Sequence, residues 1–331
     1  MENKPTNTRT GGKGMDKNIA LEFVRVTEAA ARAAAGWIGR GDKHAADSAA
    51  VEAMRSEFNF IDIRGTIVIG EGERDEAPML FIDEKVGSGH GLELDIAVDP
   101  LECTDRTAEG GENAMSVIAA GNPGTLLHAP DGYMRKLAVG PKACGVINLR
   151  ESPTWNLQRI SKALGKPMRD LVVVVLKRDR HNDLVAEIRS TGARIHFIQD
   201  GDVAGAIATA LPDSPVDVLM GIGAAPEGVL AAAALRCMGG EILGQLQWKD
   251  DAQKERAREM GITDPDRIYT AKELASGEDV IFAATGVTDG DLLRGVRTTP
   301  HGDVTYSIMG RSASGTIRFM ETKHQFGRNN C

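Results

Sequence analysis

The chain has 331 residues, 42% of them hydrophobic and 26% charged, with a formal net charge of −8. That composition is globular rather than disordered, and the length accommodates two domains or one large one. With no block of Lys and Arg, neither duplex nucleic acid nor an anionic membrane finds electrostatic support, so any anionic ligand must be held by local cations.

The leader "MENKPTNTRTGGKGMDKN", 1–18, is polar and Gly-rich and reads as a flexible tail. It lacks the apolar core of a signal peptide, and no window reaches the run of about 18 uncharged apolar residues that marks a membrane span, so a cytoplasmic location is expected. "IALEFVRVTEAAARAAAG" predicts a helix over 19–36 that "GRGD" breaks, and a second helix is expected over 48–59. "GTIVIGEGERDEAPML" reads as a strand running into a Gly-rich acidic loop. A further strand, "LDIAV", reaches Asp99, where Pro100 forces a turn. "NAMSVIAAG" is a strand or a buried helix, because a short apolar run does not distinguish the two.

Near mid-chain, the polar, Pro-bearing "LRESPTWN" separates a half over 19–160 from a half over 161–331. Beyond it the texture becomes βαβ: "LVVVVL", "RIHFIQ" and "VDVLM" read as strands, and "HNDLVAEIRSTG", "DVAGAIATAL" and "PEGVLAAAALRCMGG" as helices, which implies parallel pairing. "VIFAATG", "VTYSIM" and "GTIRFM" are strand-like pieces in the tail. Cys103, Cys144, Cys237 and Cys331 have no C-x-x-C spacing, which argues against a zinc site or a disulfide framework.

Three segments crowd acids onto element ends: "HAADSAAVEAM" with Asp47, "VIGEGERDEAPM" with Glu71, Glu73, Asp75 and Glu76, and "AVDPLECTD" with Asp99 and Glu102. Taken singly, Asp47 reads as the N-cap of a helix at Ser48, and Glu71 and Glu73 as solvated loop charges. Asp99, at the end of an apolar strand, resists such a reading. Oxygen-only ligands from several segments suit Mg²⁺ or Mn²⁺, and a site with two or more such ions hydrolyses phosphate esters. In the second half, "KRDRH" follows a strand and opens a helix, placing Arg178 and Arg180 where anions collect or else on an exposed basic turn. Asp200 and Asp202 in "QDGDVAG" accept from sugar hydroxyls or simply cap a helix. "GIGAAPEG" lacks the third glycine of a dinucleotide loop, and its Glu227 suits a metal better than a pyrophosphate.

"WIGRGDKHAAD", "GTIVIGEGERDEAPML", "DIAVDPLECT", "KRDRH", "DGDVA" and "GIGAAPEGV" together resemble, in order and from about Leu21 to Arg318, the class II fructose-1,6-bisphosphatases, the glycerol-operon type of bacteria. The resemblance implies the lithium-sensitive phosphatase superfamily and an α/β (α+β) fold, the layered α/β/α/β/α sandwich of the sugar-phosphatase type. It implies metal ligation by Asp47, Glu71, Asp99, Glu102 and Glu227, so that the N-cap reading of Asp47 gives way. Thr104 matches the threonine that orients the attacking water, with Asp75 as its carboxylate partner. Substrate-binding positions fall on Glu102, Cys103, Thr104 and Tyr133, on Arg178, Asp179 and Arg180, on Asp200, Gly201 and Asp202, and on Ala224. Four residues depart from the family pattern: Cys103 and Ala224 stand where Gly is usual, Arg178 where Lys is, and Asp179 where Pro is. The expected substrate is a sugar bisphosphate, fructose 1,6-bisphosphate with sedoheptulose 1,7-bisphosphate as a second, and the expected assembly a homo-oligomer, dimer or tetramer. An inositol-phosphatase-like monoesterase and a non-catalytic sugar-phosphate-binding regulator are the competing readings.

Overall fold

A stripe of Phe23, Val26, Ala30 and Ala34 runs along the first helix, α1 (Ile19–Ala35), at the spacing that buries one helical face. The structure, a computed structural model, describes residues 18–72, 79–259 and 261–325, so the expected tail lies outside it except for Asn18. α2 (Lys43–Phe58) starts earlier than expected because Asp42 caps it, its Oδ1 accepting from the Ala45 N–H at 2.9 Å. Asp47 therefore lies inside the helix, and the local reading of it as an N-cap at Ser48 is corrected.

β1 (Ile63–Ile69), β2 (Lys85–Val86) and β3 (Leu92–Glu102) lead into a short helix, α3 (Thr104–Glu109), and then β4 (Met115–Gly121). The strand ending at Asp99 is a second correction. Pro100 has no N–H for the ladder, yet β3 continues to Glu102 across a register shift between Asp99 and Glu102, a bulge rather than a turn. "NAMSVIAAG" resolves as strand, with Ile118 and Ala120 packed on one side and Val117 and Ala119 on the other. Next come β5 (Tyr133–Val139), α4 (Pro153–Leu164), β6 (Val172–Leu176), α5 (Asn182–Ser190), β7 (Arg194–Ile198), α6 (Asp202–Ala208) and β8 (Val218–Ala224). The chain closes through α7 (Ala225–Met238), β9 (Glu241–Gln247), α8 (Asp251–Glu259), β10 (Ile268–Thr270), α9 (Ala271–Leu274), β11 (Ile281–Gly286), β12 (Arg297–Thr299), β13 (Gly302–Arg311) and β14 (Thr316–Gln325).

Among the described residues these strands make two sheets, one of eight ordered β12-β13-β11-β4-β3-β1-β2 with β14 on the far side of β13, and one of six ordered β10-β9-β5-β8-β6-β7. Side-chain alternation sorts the core into three slabs. Ile96, Val98 and Ile281 pack with α1 and α2, while Ala97 and Phe282 face the opposite way into a central slab with α6, α7 and α9. The six-stranded sheet turns Val174 and Leu219 to that slab, and Val173, Val175 and Val218 outward to α4 and α5. The order is thus helices, sheet, helices, sheet, helices, the expected five-layer sandwich.

The βαβ reading holds for β6, β7 and β8, which pair in parallel, whereas β5, β9 and β10 join antiparallel. The chain steps outward from β6 to β7 and then back across β6 to β8. With a constant right-handed crossover, that reversal puts α5 and α6 on opposite faces and leaves a crevice beyond the ends of β6 and β8. The expected halves exchange strands: β5 lies inside the second sheet, β11 to β14 return to the first, and residue 160 falls within α4. No helix among the described residues is long and apolar enough to cross a membrane.

Candidate active site

The ends of β1, β3, β6, β7 and β8 and the start of antiparallel β5 open on one cavity of about 550 Å³. Open α/β sheets bind ligands at such strand ends. Asp47 from α2, Glu71 after β1, Asp99 and Glu102 on β3, and Glu227 in the first turn of α7 all line it. So do Cys103 and Thr104, Tyr133, Arg178 and Arg180, Asp200 and Asp202, and Ala224. Asp179 and Gly201 are not on the described wall; Asp179 is exposed in a turn of 3₁₀ helix, and Gly201 stands behind it, against Cys103. Asp75 lies outside the described residues, as do Glu73 and Glu76.

Burial raises the pKa of each of Asp47, Glu71, Asp99, Glu102 and Glu227. Burial, then Glu71 and Glu227, raises Asp99 well above the ordinary range against one opposing bond, from the Leu101 N–H to its Oδ1 at 3.1 Å. Burial, then Asp99 and Asp202, does the same to Glu102, whose Oε1 accepts from the Val203 N–H at 3.1 Å. Glu71 is pushed up to about 7 by burial and by Asp47, and Glu227 to about 7 by burial against the opposing charge of Lys136. Asp47 is raised too, chiefly by burial. Among the described residues, no group of three or more His, Cys, Asp or Glu side chains is arranged to hold a metal ion. Two carboxylate oxygens, Glu102 Oε2 and Glu227 Oε2, are nevertheless buried with no hydrogen-bond partner. A buried acceptor without a donor is costly, and an all-oxygen donor set that lacks its positive charge fits a hard divalent cation.

Cys103 connects the acids to α3 in the left-handed conformation, at φ 71°. A Cβ is strained there, and glycine, the residue expected at this position from the resemblance, would relieve the strain. Its thiol is buried, and burial together with Glu102 pushes its pKa up, so the sulfur is a small filler rather than a nucleophile. Thr104 donates its hydroxyl to the Leu101 carbonyl at 2.9 Å, leaving its oxygen free to accept.

The sequence did not flag Lys136. It is the one charge among the inward-facing positions of β5, between Met134 and Ala138, and it pairs with Asp202 at 2.6 Å with side-chain exposures of 1% and 7%. Asp202 makes no capping bond, so the capping reading fails and the buried pair takes its place. A Cβ on Gly223 would come within 1.9 Å of Asp202 Oδ2 and 3.1 Å of Lys136 Nζ, so β8 can pass the pair only as glycine.

His181 is a second omission. β6 and β8 pair only at Val173 with Val218 and Val174 with Leu219, and beyond that point the buried imidazole replaces the ladder. Its Nε2 accepts from the Ile222 N–H at 2.8 Å, which leaves Nδ1 to donate to the Leu176 carbonyl at 2.7 Å. Arg180 grips the next peptide group of the same residue, donating to the Ile222 carbonyl at 3.2 and 2.8 Å. Arg178 is tied to the Gln199 carbonyl at 2.5 Å and stands 3.9 Å from Asp200.

A pocket that opposes dry acids to tethered guanidinium groups suits a phosphate bridging the two, and on this layered scaffold it defines a phosphoric monoester hydrolase. The model of a family described as bacterial fructose-1,6-bisphosphatase, glpX-encoded, matches residues 17–324. A D-fructose 1,6-bisphosphatase class 2/sedoheptulose 1,7-bisphosphatase of Thermosynechococcus vestitus is 49% identical over 337 residues, covering 94% of this chain and 97% of its own. Counterparts from Acaryochloris marina and Trichodesmium erythraeum are each 48% identical, covering 94% and 95% of this chain and 97% and 98% of theirs. The chain belongs to the glpX-encoded bacterial fructose-1,6-bisphosphatase family.

Proposed function

We propose that the chain hydrolyses the C1 phosphate of fructose 1,6-bisphosphate to fructose 6-phosphate and inorganic phosphate, using Mg²⁺ or Mn²⁺ held by Asp47, Glu71, Asp99, Glu102 and Glu227. The observation that carries this reading is the pair of buried, partnerless oxygens on Glu102 and Glu227 in a cavity that also holds Arg178 and Arg180. When bound, the cations supply charge neutralisation of the acids, polarisation of the phosphoryl group and acidification of the attacking water.

The protein's own groups do the rest. Thr104, its proton committed to the Leu101 carbonyl, accepts a hydrogen bond from the water and so fixes the direction of attack. Asp75 is the proposed acceptor of the water's proton. Arg178, Arg180 and Tyr133 hold the second phosphate, and Asp200 accepts from sugar hydroxyls. Asp202 holds Lys136 beside Glu227 while its other oxygen serves the sugar. Ala224 contributes its backbone where β8 ends. The names of the relatives extend the proposal to sedoheptulose 1,7-bisphosphate. Phosphate release from fructose 1,6-bisphosphate with Mg²⁺ and then with Mn²⁺ tests the reading. Turnover with at least one ion supports it, and silence with both overturns it in favour of a regulator that only binds sugar phosphates.

A further inference from the structure

The six-stranded sheet has a second hollow, on the face turned away from the catalytic cavity. Alternation along β5 turns Lys136 inward to Asp202 and sends Arg135 and Leu137 the other way, toward α4 and α5. There they line a cavity of about 280 Å³ whose other apolar walls are Leu149, Pro153, Leu184, Met220 and Ile222. Among the described lining residues only Arg180 belongs to both cavities, and the partition between them is the end of β8, pinned by His181.

The floor of this cavity carries an uncompensated cation. Arg135 gives one terminal N–H to Gln245 Oε1 at 2.8 Å, but its Nε–H is buried and meets neither an acceptor nor a carboxylate among the described residues. Burial alone acts on its pKa and pulls it down. A buried charged donor left unmet is costly, so the floor suits an acceptor oxygen, best of all an anionic one. The rim has the opposite sign, with Glu151 and Asp183 exposed on it and Glu187 half-buried. Glu187 Oε1 accepts from the Thr154 N–H at 2.9 Å and from its hydroxyl at 2.8 Å, tying α5 to α4. Asn156 Oδ1 accepts from the Asn148 N–H at 2.8 Å, and its amide donates to the Asn148 carbonyl at 2.9 Å. The walls are thus braced before anything binds, which lowers the ordering cost of binding.

We infer that this cavity is a binding site for a small zwitterion with its charges at opposite ends of a short apolar body, an ω-amino acid, whose carboxylate meets Arg135 and whose ammonium lies at the acidic rim. Three carboxylates at the entrance disfavour a polyanion such as a sugar bisphosphate or a nucleotide. An apolar cavity of about 150 Å³ accepts a benzene ring. One of about 280 Å³ therefore takes a ring with a short arm at each end.

The probe is 4-(aminomethyl)benzoate, compared with 4-methylbenzoate, which lacks the ammonium, and benzylamine, which lacks the carboxylate. Isothermal titration calorimetry of the full chain should give the probe a Kd of about 1 mM or tighter. Arg135→Met should weaken the probe about tenfold or more, the loss of a hydrogen bond to a charged group, and leave benzylamine unchanged. On wild type, 4-methylbenzoate should bind about two- to fivefold more weakly than the probe, the scale of an exposed ion pair. Leu184→Trp, which fills the cavity from α5, should abolish binding. Circular dichroism checks that both variants fold, and if the tryptophan variant does not, Arg135→Met and the two analogues still decide. Absence of probe binding to wild type, equal affinity for the three compounds, or a probe affinity that Arg135→Met leaves unchanged overturns the inference.

Discussion

Stripping divalent cations from the protein should make it least stable where its acids are fully charged. Glu71 and Glu227 are each raised from 4.5 to about 7, mainly by burial. At about 1.4 kcal/mol per pH unit, each costs the fold about 3 kcal/mol once ionised, or about 6 kcal/mol together before any mutual screening. The sign follows from the direction of the shift. Folded-state carboxyls with raised pKa bind protons more tightly than the unfolded chain, so stability falls as pH rises from about 4.5 to 7, and the whole cost is present above that window. Cations relieve the cost only where the acids are charged, since protons compete for the same oxygens. Urea unfolding of EDTA-treated protein, followed by circular dichroism at pH 5 and pH 8 with and without Mg²⁺, measures both effects. The expected result is a cation-free protein several kcal/mol weaker at pH 8, with Mg²⁺ restoring most of the difference there and little at pH 5. Equal stability at the two pH values, or equal stabilisation by Mg²⁺ at both, would refute the assignment of these acids as a cation site.

Thr104→Val keeps the branched shape of the residue and removes the acceptor, so kcat should fall by about two orders of magnitude or more with a much smaller change in KM; a variant with normal kcat and weakened binding would reassign Thr104 to substrate contact. Lys136→Met leaves Asp202 buried without its cation and should cost about 3–5 kcal/mol in urea unfolding, while adding Asp202→Leu should recover much of the loss. Additive losses in the double variant would show that the pair is not coupled.

The elements legible in the sequence were those whose signal is local. α1 announces itself by its stripe, β6 by an unbroken aliphatic run, and α7 by Pro226 at its start and Gly239 at its end. Boundaries failed where one side chain decided them: Asp42 rather than Asp47 caps α2, and a bulge absorbs Pro100. β5 and β9 passed unnoticed because Lys136, Gly244 and Gln245 interrupt the apolar pattern, and only the finished sheet explains why a charged residue belongs there. The acids could be read as a set because their chemistry is unusual at strand ends, and the described members do meet in one cavity. Lys136 and His181 were illegible for the opposite reason. A lysine in a strand and a histidine in a basic turn look ordinary until tertiary structure shows that one faces a buried carboxylate and the other fills a gap between strands.

The exchange of strands between the two sheets bears on how the chain is made. α1 emerges early during synthesis, yet its Thr27 hydroxyl rests 2.8 Å from that of Thr285 on β11, and its Glu28 accepts from Thr305 on β13 at 3.0 Å. β4 likewise waits for β11, its antiparallel neighbour, and until then presents an open edge. A nascent chain halted near the middle therefore holds most of the acids but no finished sheet to mount them on. Contacts of such long sequence separation slow folding and prolong the exposure of apolar faces. A fragment cut at the middle lacks β11 to β14 for the first sheet, and its complement lacks β5 for the second, so each piece alone should expose apolar faces that the other covers.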